Sequence, residues 1–261
     1  MAKSKPKLAV VKLASCDGCQ LSLLDLEDEL LALAGAVRIA YFPEASSKVL
    51  PGRWDVTLIE GSITTAHDKR RLEQIRKRSK TLVTIGACAT AGGIQALRNF
   101  AQIEDYQRIV YARPDWIETL AESSPVAEHV KVDHQLFGCP VDKRQLLDLL
   151  SRLLSGLSPV VPDHAVCLEC KQRGVSCVLV ARGEPCLGPV TRAGCGALCP
   201  RYDRGCFGCF GPKEQAAPGA LVPVLTRLGQ SPRDVARWFG TFNVAAEPFA
   251  GAHRAARRGD D

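Results

Sequence analysis

The sequence predicts an α/β protein: a doubly wound domain on a parallel sheet, followed by a Cys-rich, irregular segment. Three observations predict it. Short apolar runs alternate with helical periodicities from residue 7 to residue 154, the pattern of strands joined by crossover helices. After Pro159 both periodicities fade, and Gly, Pro and Cys dominate through residue 212. The twelve cysteines fall on both sides of that change, four before it and eight within 167–209. The expected division is therefore 1–158 and 159–261.

The elements follow in order. Residues 7–13 (KLAVVKL) form an apolar run ending in the polar loop SCDGC. Leu23, Leu26, Leu30 and Leu33 then recur at helical spacing, predicting one helix that stops at Gly35. Strands are expected at 36–42 (AVRIAYF) and 55–61 (DVTLIEG), a basic amphipathic helix at 66–79, and a strand at 81–87 (TLVTIGA). A helix from Ala89, a short strand at 130–134 (VKVDH) and a helix at 144–154 (RQLLDLLSRLL) complete the first part, whose order is similar to a flavodoxin-like domain. A further helix is expected at about 231–240. The end, GAHRAARRGDD, reads as a frayed tail.

Composition narrows the function. Apolar residues make up 46% and charged residues 24% of the chain, as in ordinary globular proteins. The net charge of +6 owes much to Lys69, Arg70, Arg71, Arg76, Lys77, Arg78 and Lys80. No aromatic residues interleave with them to stack on bases, so a solvated helix face is expected rather than nucleic-acid binding. No apolar run approaches the roughly 20 residues of a membrane helix. The apolar stretch after the basic start is too short for a signal core, and no twin-arginine pair precedes it. A cytoplasmic location is expected, where thiols bind metal or react more often than they form disulfides.

Cys16 and Cys19 follow the first strand, Cys88 follows the strand 81–87 within IGAC, and Cys139 follows the last strand within FGCP. All lie at strand carboxyl ends, where open α/β sheets gather ligands, and four thiolates from three such loops can surround one cluster or ion. Gly18 and Gly86 let backbone come close. The other eight read C-x2-C-x6-C-x8-C (Cys167, Cys170, Cys177, Cys186) and C-x3-C-x6-C-x2-C (Cys195, Cys199, Cys206, Cys209). Two sets of four, in a segment with little core of its own, suggest two metal centres that hold it folded. A zinc ribbon on Cys167, Cys170, Cys206 and Cys209 is the competing reading, but it leaves the remaining cysteines without a role.

SCDGCQLSLLDLEDEL, IEGSI, VTIGACATAGG and FGCPVD together resemble the small subunits of [NiFe] hydrogenases in order and context. CLGPVTRAGCGALCPRYDRGCFGCFGP resembles the multimeric cytoplasmic branch, which includes NAD(P)-linked hydrogenases and sulfhydrogenases. The resemblance implies an electron-transfer subunit with three [4Fe–4S] clusters: proximal on Cys16, Cys19, Cys88 and Cys139, medial on Cys195, Cys199, Cys206 and Cys209, and distal on Cys167, Cys170, Cys177 and Cys186. It implies no catalytic residue in this chain. The implied partners are a [NiFe] large subunit and a flavin-containing NAD(P)-linked diaphorase subunit, with or without a further iron–sulfur subunit. Ser15 stands where periplasmic relatives carry Glu, and Gly18 stands where oxygen-tolerant relatives carry an extra Cys, so an ordinary cubane is implied. His164 is expected to be a neighbour of the distal set, not a ligand, and His67, His129, His134 and His253 to have no cofactor role. Glu60 lies either beside the proximal site or exposed at the start of its loop. Related quinone-reductase subunits carry an adjacent Cys–Cys pair that this chain lacks.

Overall fold

In the computed structural model, which describes residues 5–258, the first apolar run forms β1 (Lys7–Lys12), buried along its centre. The leucine-rich stretch that follows is broken into two helices, α1 (Gly18–Leu24) and α2 (Asp28–Ala36), with Glu27 at φ 52° between them. A continuous helix would stack Asp25 on Glu29, a like-charge pair one turn apart. The break places Asp28 and Glu29 in the first turn of α2 instead, where the helix dipole favours them. Leu23, Leu26 and Leu33 still reach the core, while Leu31 faces solvent.

β2 (Arg38–Tyr41), β3 (Trp54–Glu60) and β4 (Ser79–Ile85) are parallel to β1. α3 (Ala66–Arg78) starts on a capping box between Thr65 and Asp68 and ends on Arg76, Lys77 and Arg78, matching the dipole at both ends. Three of its basic side chains brace the domain: Arg71 donates to the Lys12 carbonyl, Arg76 pairs with Asp133, and Arg78 lies over the Trp54 ring. α4 (Gly86–Ala91) begins directly at the end of β4, earlier than the expected start at Ala89. A 3-10 turn (Ile94–Phe100) and α5 (Ile103–Val110) follow.

The fifth strand, β5, is His134–Leu136 and not 130–134. Asp133 accounts for the shift: its carboxylate accepts the Leu82 amide and its own amide donates to the Leu82 carbonyl, so regular pairing starts one residue later, at His134 opposite Val83. Val130 and Val132 pack against the core from outside the ladder. The sheet order is β2-β1-β3-β4-β5, all parallel. α6 (Lys143–Leu154), capped by Asp142, buries Leu146, Leu149 and Leu150.

The chain divides into two units between Val160 and Val161. The second contains α7 (Val166–Gln172), α8 (Val178–Ala181), α9 (Pro218–Arg227), α10 (Pro232–Phe239) and α11 (Glu247–Arg258). The last corrects the expectation of a frayed end, of which only 259–261 lie outside the described residues: α11 buries Phe249, Ala252, His253 and Ala256. The Arg-rich composition hid a helix whose arginines lie on one face and small apolar residues on the other. Leu187 and Val190 of the Cys-rich stretch share a core with Leu221, Leu225, Phe239 and Phe249, so helices supply the apolar surface that the stretch lacks.

Phe249 is 2% exposed, its ring 5.6 Å from that of Phe239. Phe249→Ala is expected to cost about 3–5 kcal/mol by denaturant melts. Arg254→Ala on the outer face of α11 should stay within about 0.5 kcal/mol of the parent. A frayed end would make the two variants alike.

Candidate functional site

β1, β4 and β5 end in the loops that carry the cysteines of the first unit. Cys16 lies in the loop after β1, and Cys19 in the first turn of α1. Asp17 enters that helix at φ 67°, with its carboxylate paired to Lys12. Glu60, the last residue of β3, is 1% exposed and sits beside the site, not at a solvent-facing loop start. Its carboxylate accepts the Cys19 amide at 3.1 Å and the Gln20 amide at 3.3 Å. Burial raises its pKa, and those amide hydrogen bonds oppose the rise.

Two glycines make room for sulfur. Gly86 has φ +84°, and a Cβ there would lie 2.3 Å from Cys19 Sγ; Gly93, at φ +62°, would place one 2.5 Å from Cys88 Sγ. Cys139 follows Gly138, whose carbonyl accepts the Ala87 amide at 2.7 Å and so ties the loop after β5 to the start of α4. The thiols lie within electrostatic reach of one another. Burial drives Cys19 upward, with Glu60, Cys88 and Cys139 adding to the rise. Burial pushes Cys88 up to about 12, helped by Cys139, Glu60 and Cys16. Cys139 rises for the same first reason, then through Cys16 and Glu60. Cys19, Cys88 and Cys139 are thus held toward the neutral thiol, and a bound cation would favour their thiolates.

In the second unit α7 presents Cys167 and Cys170 one turn apart, Cys177 caps α8, and Cys186 precedes Gly188. All four line one cavity of ≈ 260 Å³, together with Val175, Val178, Leu179, Pro189 and Pro200 among others. The amides of Cys206 and Gly188 donate to Cys186 Sγ at 3.2 and 3.4 Å. A Cβ on Gly188 would lie 3.3 Å from that sulfur and 3.6 Å from Cys167 Sγ. Burial pushes Cys170 up to about 11, with Cys167, Cys186 and Cys177 contributing.

The remaining four are brought together in pairs. Cys195 is raised by burial, then by Glu169 and Cys199, while the Leu198 and Ala197 amides oppose the rise. Cys206 is raised by burial, then by Cys186 and Cys209. His164 is half-exposed, pairs with Asp163 at 3.8 Å, and is not among the residues lining the cavity. All twelve cysteines are free thiols. Among the described residues, no three His, Cys, Asp or Glu side chains converge on a single-ion site, and no helix is long and apolar enough to cross a membrane. Sequence reasoning did not single out Gly93, Gly188 or Glu169. The glycines carry no signal beyond their proximity to cysteines, and Glu169 declares its role only through long-range contacts.

The family described as NADH ubiquinone oxidoreductase, 20 Kd subunit, matches residues 16–153. The sulfhydrogenase 2 subunit delta of Pyrococcus furiosus is 40% identical over 238 residues, 89% of this chain and 100% of that protein. An F420-non-reducing hydrogenase vhu subunit of Methanocaldococcus jannaschii is 32% identical over 282 residues, 96% of this chain and 98% of that one. The crystal structure of an NAD+-reducing [NiFe]-hydrogenase in its H2-reduced state contains a chain that superposes with a TM-score of 0.57 at 32% identity. That match covers 60% of this chain and 96% of the solved one, which is therefore the shorter.

Two glycine substitutions separate site geometry from ordinary helix propensity. Gly86→Ala forces a side chain onto Cys19 Sγ at a left-handed backbone, and should cost at least the roughly 1–2 kcal/mol of that conformation. Gly35→Ala in α2 meets nothing within 4 Å and should stabilise by about 0.4–1 kcal/mol. Denaturation midpoints moving in opposite directions would bear this out.

Proposed function

Because the chain belongs to the family of the NADH ubiquinone oxidoreductase 20 Kd subunit, and within it to the small subunits of [NiFe] hydrogenases, we propose that it relays electrons through three [4Fe–4S] clusters on its twelve cysteines. The observation that carries this reading is the set of four free thiols, Cys167, Cys170, Cys177 and Cys186, around one cavity. Four thiols around one cavity, the buried Cys186 among them with two amides donating to its sulfur, suit a multiply charged iron–sulfur body.

The assignment is proximal on Cys16, Cys19, Cys88 and Cys139, medial on Cys195, Cys199, Cys206 and Cys209, and distal on Cys167, Cys170, Cys177 and Cys186. When bound, the clusters supply one-electron steps. The protein's own part is to fix their positions, exclude water and tune their potentials. The Cys206 and Gly188 amides aimed at Cys186 Sγ favour the more negative state of whatever that sulfur binds. Cleavage of hydrogen belongs, in this reading, to a large subunit docked on the carboxyl-edge surface around 16–24 and 88–93. Exposed Leu21 and Ile94 beside these loops suit such a docking face.

The electrons leave to a flavin-containing, NAD(P)-linked partner in the cytoplasm. The chain itself carries no G-x-G-x-x-G after a strand, so nicotinamide binding falls to another subunit. The named relatives differ in acceptor, and affinity purification of the native complex decides the point: a nickel-bearing chain and a flavin-bearing chain should both be recovered. A complex without flavin removes the diaphorase partner.

Anaerobically purified protein should contain about twelve iron and twelve sulfide per chain; stoichiometric zinc with little iron would refute the cluster assignment. Cys209→Ser should abolish electron delivery to the distant acceptor while isotope exchange at the large subunit persists. Equal loss of both activities in an assembled complex would show that the medial assignment is wrong.

A further inference from the structure

The helix α7 carries two cysteines of one set, and between them it carries Glu169, whose carboxylate reaches the loop of the other set. Glu169 Oε1 accepts the Gly194 amide at 2.9 Å and Oε2 accepts the Ala197 amide at 3.0 Å. Those two amides bracket Cys195. The loop between them is wound tightly, with φ of 141° at Gly194, 65° at Gly196 and 54° at Ala197. Ala197 holds a left-handed conformation that L-residues avoid unless neighbouring bonds impose it. Arg173, just past α7, lies across the same loop: a Cβ on Gly196 would fall 2.6 Å from its terminal nitrogen. Two amides three residues apart turn on one anion, and here the anion is a side chain of the protein.

We propose that Glu169 is a positioning residue: its carboxylate is the fixed anion around which loop 194–197 folds, and it couples assembly of the Cys195 site to the helix that bears Cys167 and Cys170. The inference rests on the cluster reading above. Cys195 takes its direction from a loop whose inward amides end on Glu169, so without the carboxylate the loop loses the interaction that favours its left-handed turn. The carboxylate also adds negative charge beside Cys195, which lowers the reduction potential of whatever that thiolate binds.

The test uses the full chain in its native complex, purified anaerobically, with iron and sulfide content, electron paramagnetic resonance spectra and redox titration as readouts. The parent should contain about twelve iron; a parent with zinc or little iron refutes the cluster reading itself, independently of Glu169. With the parent iron in place, Glu169→Ala should lose about a third of it, with one cluster signal absent. The isosteric Glu169→Gln should keep more iron than the Ala variant and shift one cluster to a higher potential. Glu169→Ala with full iron and unchanged spectra overturns the proposal, as does equal loss in the control Glu184→Ala, an exposed carboxylate of the same unit. Should the Ala variant fail to accumulate, Glu169→Gln decides alone: an unshifted set of potentials overturns the proposal.

Discussion

Cys19, Cys88, Cys186 and Cys206 lie where a thiolate is costly, because burial removes the water that would stabilise its charge and neighbouring thiols and Glu60 add repulsion. Much of the structure serves this constraint. Sulfur in such surroundings is either a neutral, inert thiol or the ligand of a cation strong enough to displace the proton. The glycines at 86 and 93 let a sulfur pack directly against backbone, where a Cβ would collide with it. The cavity lined by Cys167, Cys170, Cys177 and Cys186 speaks for the second use, since a packed core of neutral thiols would leave no such space.

The two units solve one positioning problem with the same device. In the first, Glu60 at the end of β3 spans the amides of Cys19 and Gln20. In the second, Glu169 spans the amides of Gly194 and Ala197. Each carboxylate holds two backbone donors at or beside a cysteine, so each fixes the backbone that carries that thiol. Their anchors differ in strength. Glu60 sits in the ladder between Lys12 and Ile85, fixed by the central strands, whereas Glu169 sits on α7, a helix of 7 residues. A short helix is a weak platform by itself. The bond from its carboxylate to the loop therefore stabilises the helix as well as the loop.

The sheet was legible because each strand is a local pattern: an apolar run closed by Gly or a charged residue. The cysteine loops were legible for the related reason that parallel strands all end at the same edge. What the sequence hid depends on contacts between distant residues. Asp133 displaced β5 by bonding to Leu82, 51 positions away. The acidic run around Glu27 reads as helical by its leucines, yet its charges favour a new start. α11 was hidden by composition, since arginines suggest solvent until Phe249 and Ala252 are seen to face Leu221 and Phe239. Glu60 could be placed at the end of a strand from sequence, but which way its carboxylate turned could not.

The length of the chain relative to its relatives gives the second unit its meaning. The solved NAD+-reducing chain is matched almost whole yet is shorter, while the sulfhydrogenase and F420-non-reducing subunits are matched along most of this chain. The second unit of this chain carries eight thiols together with the helices that cover them. Those helices are not ornament. The Cys-rich stretch contributes Leu187 and Val190 to a core that is otherwise built by α9, α10 and α11, and a stretch so poor in apolar residues cannot offset its own conformational entropy. Thiols therefore cannot be added to such a fold alone. They come with an apolar cover, here supplied by α9, α10 and α11.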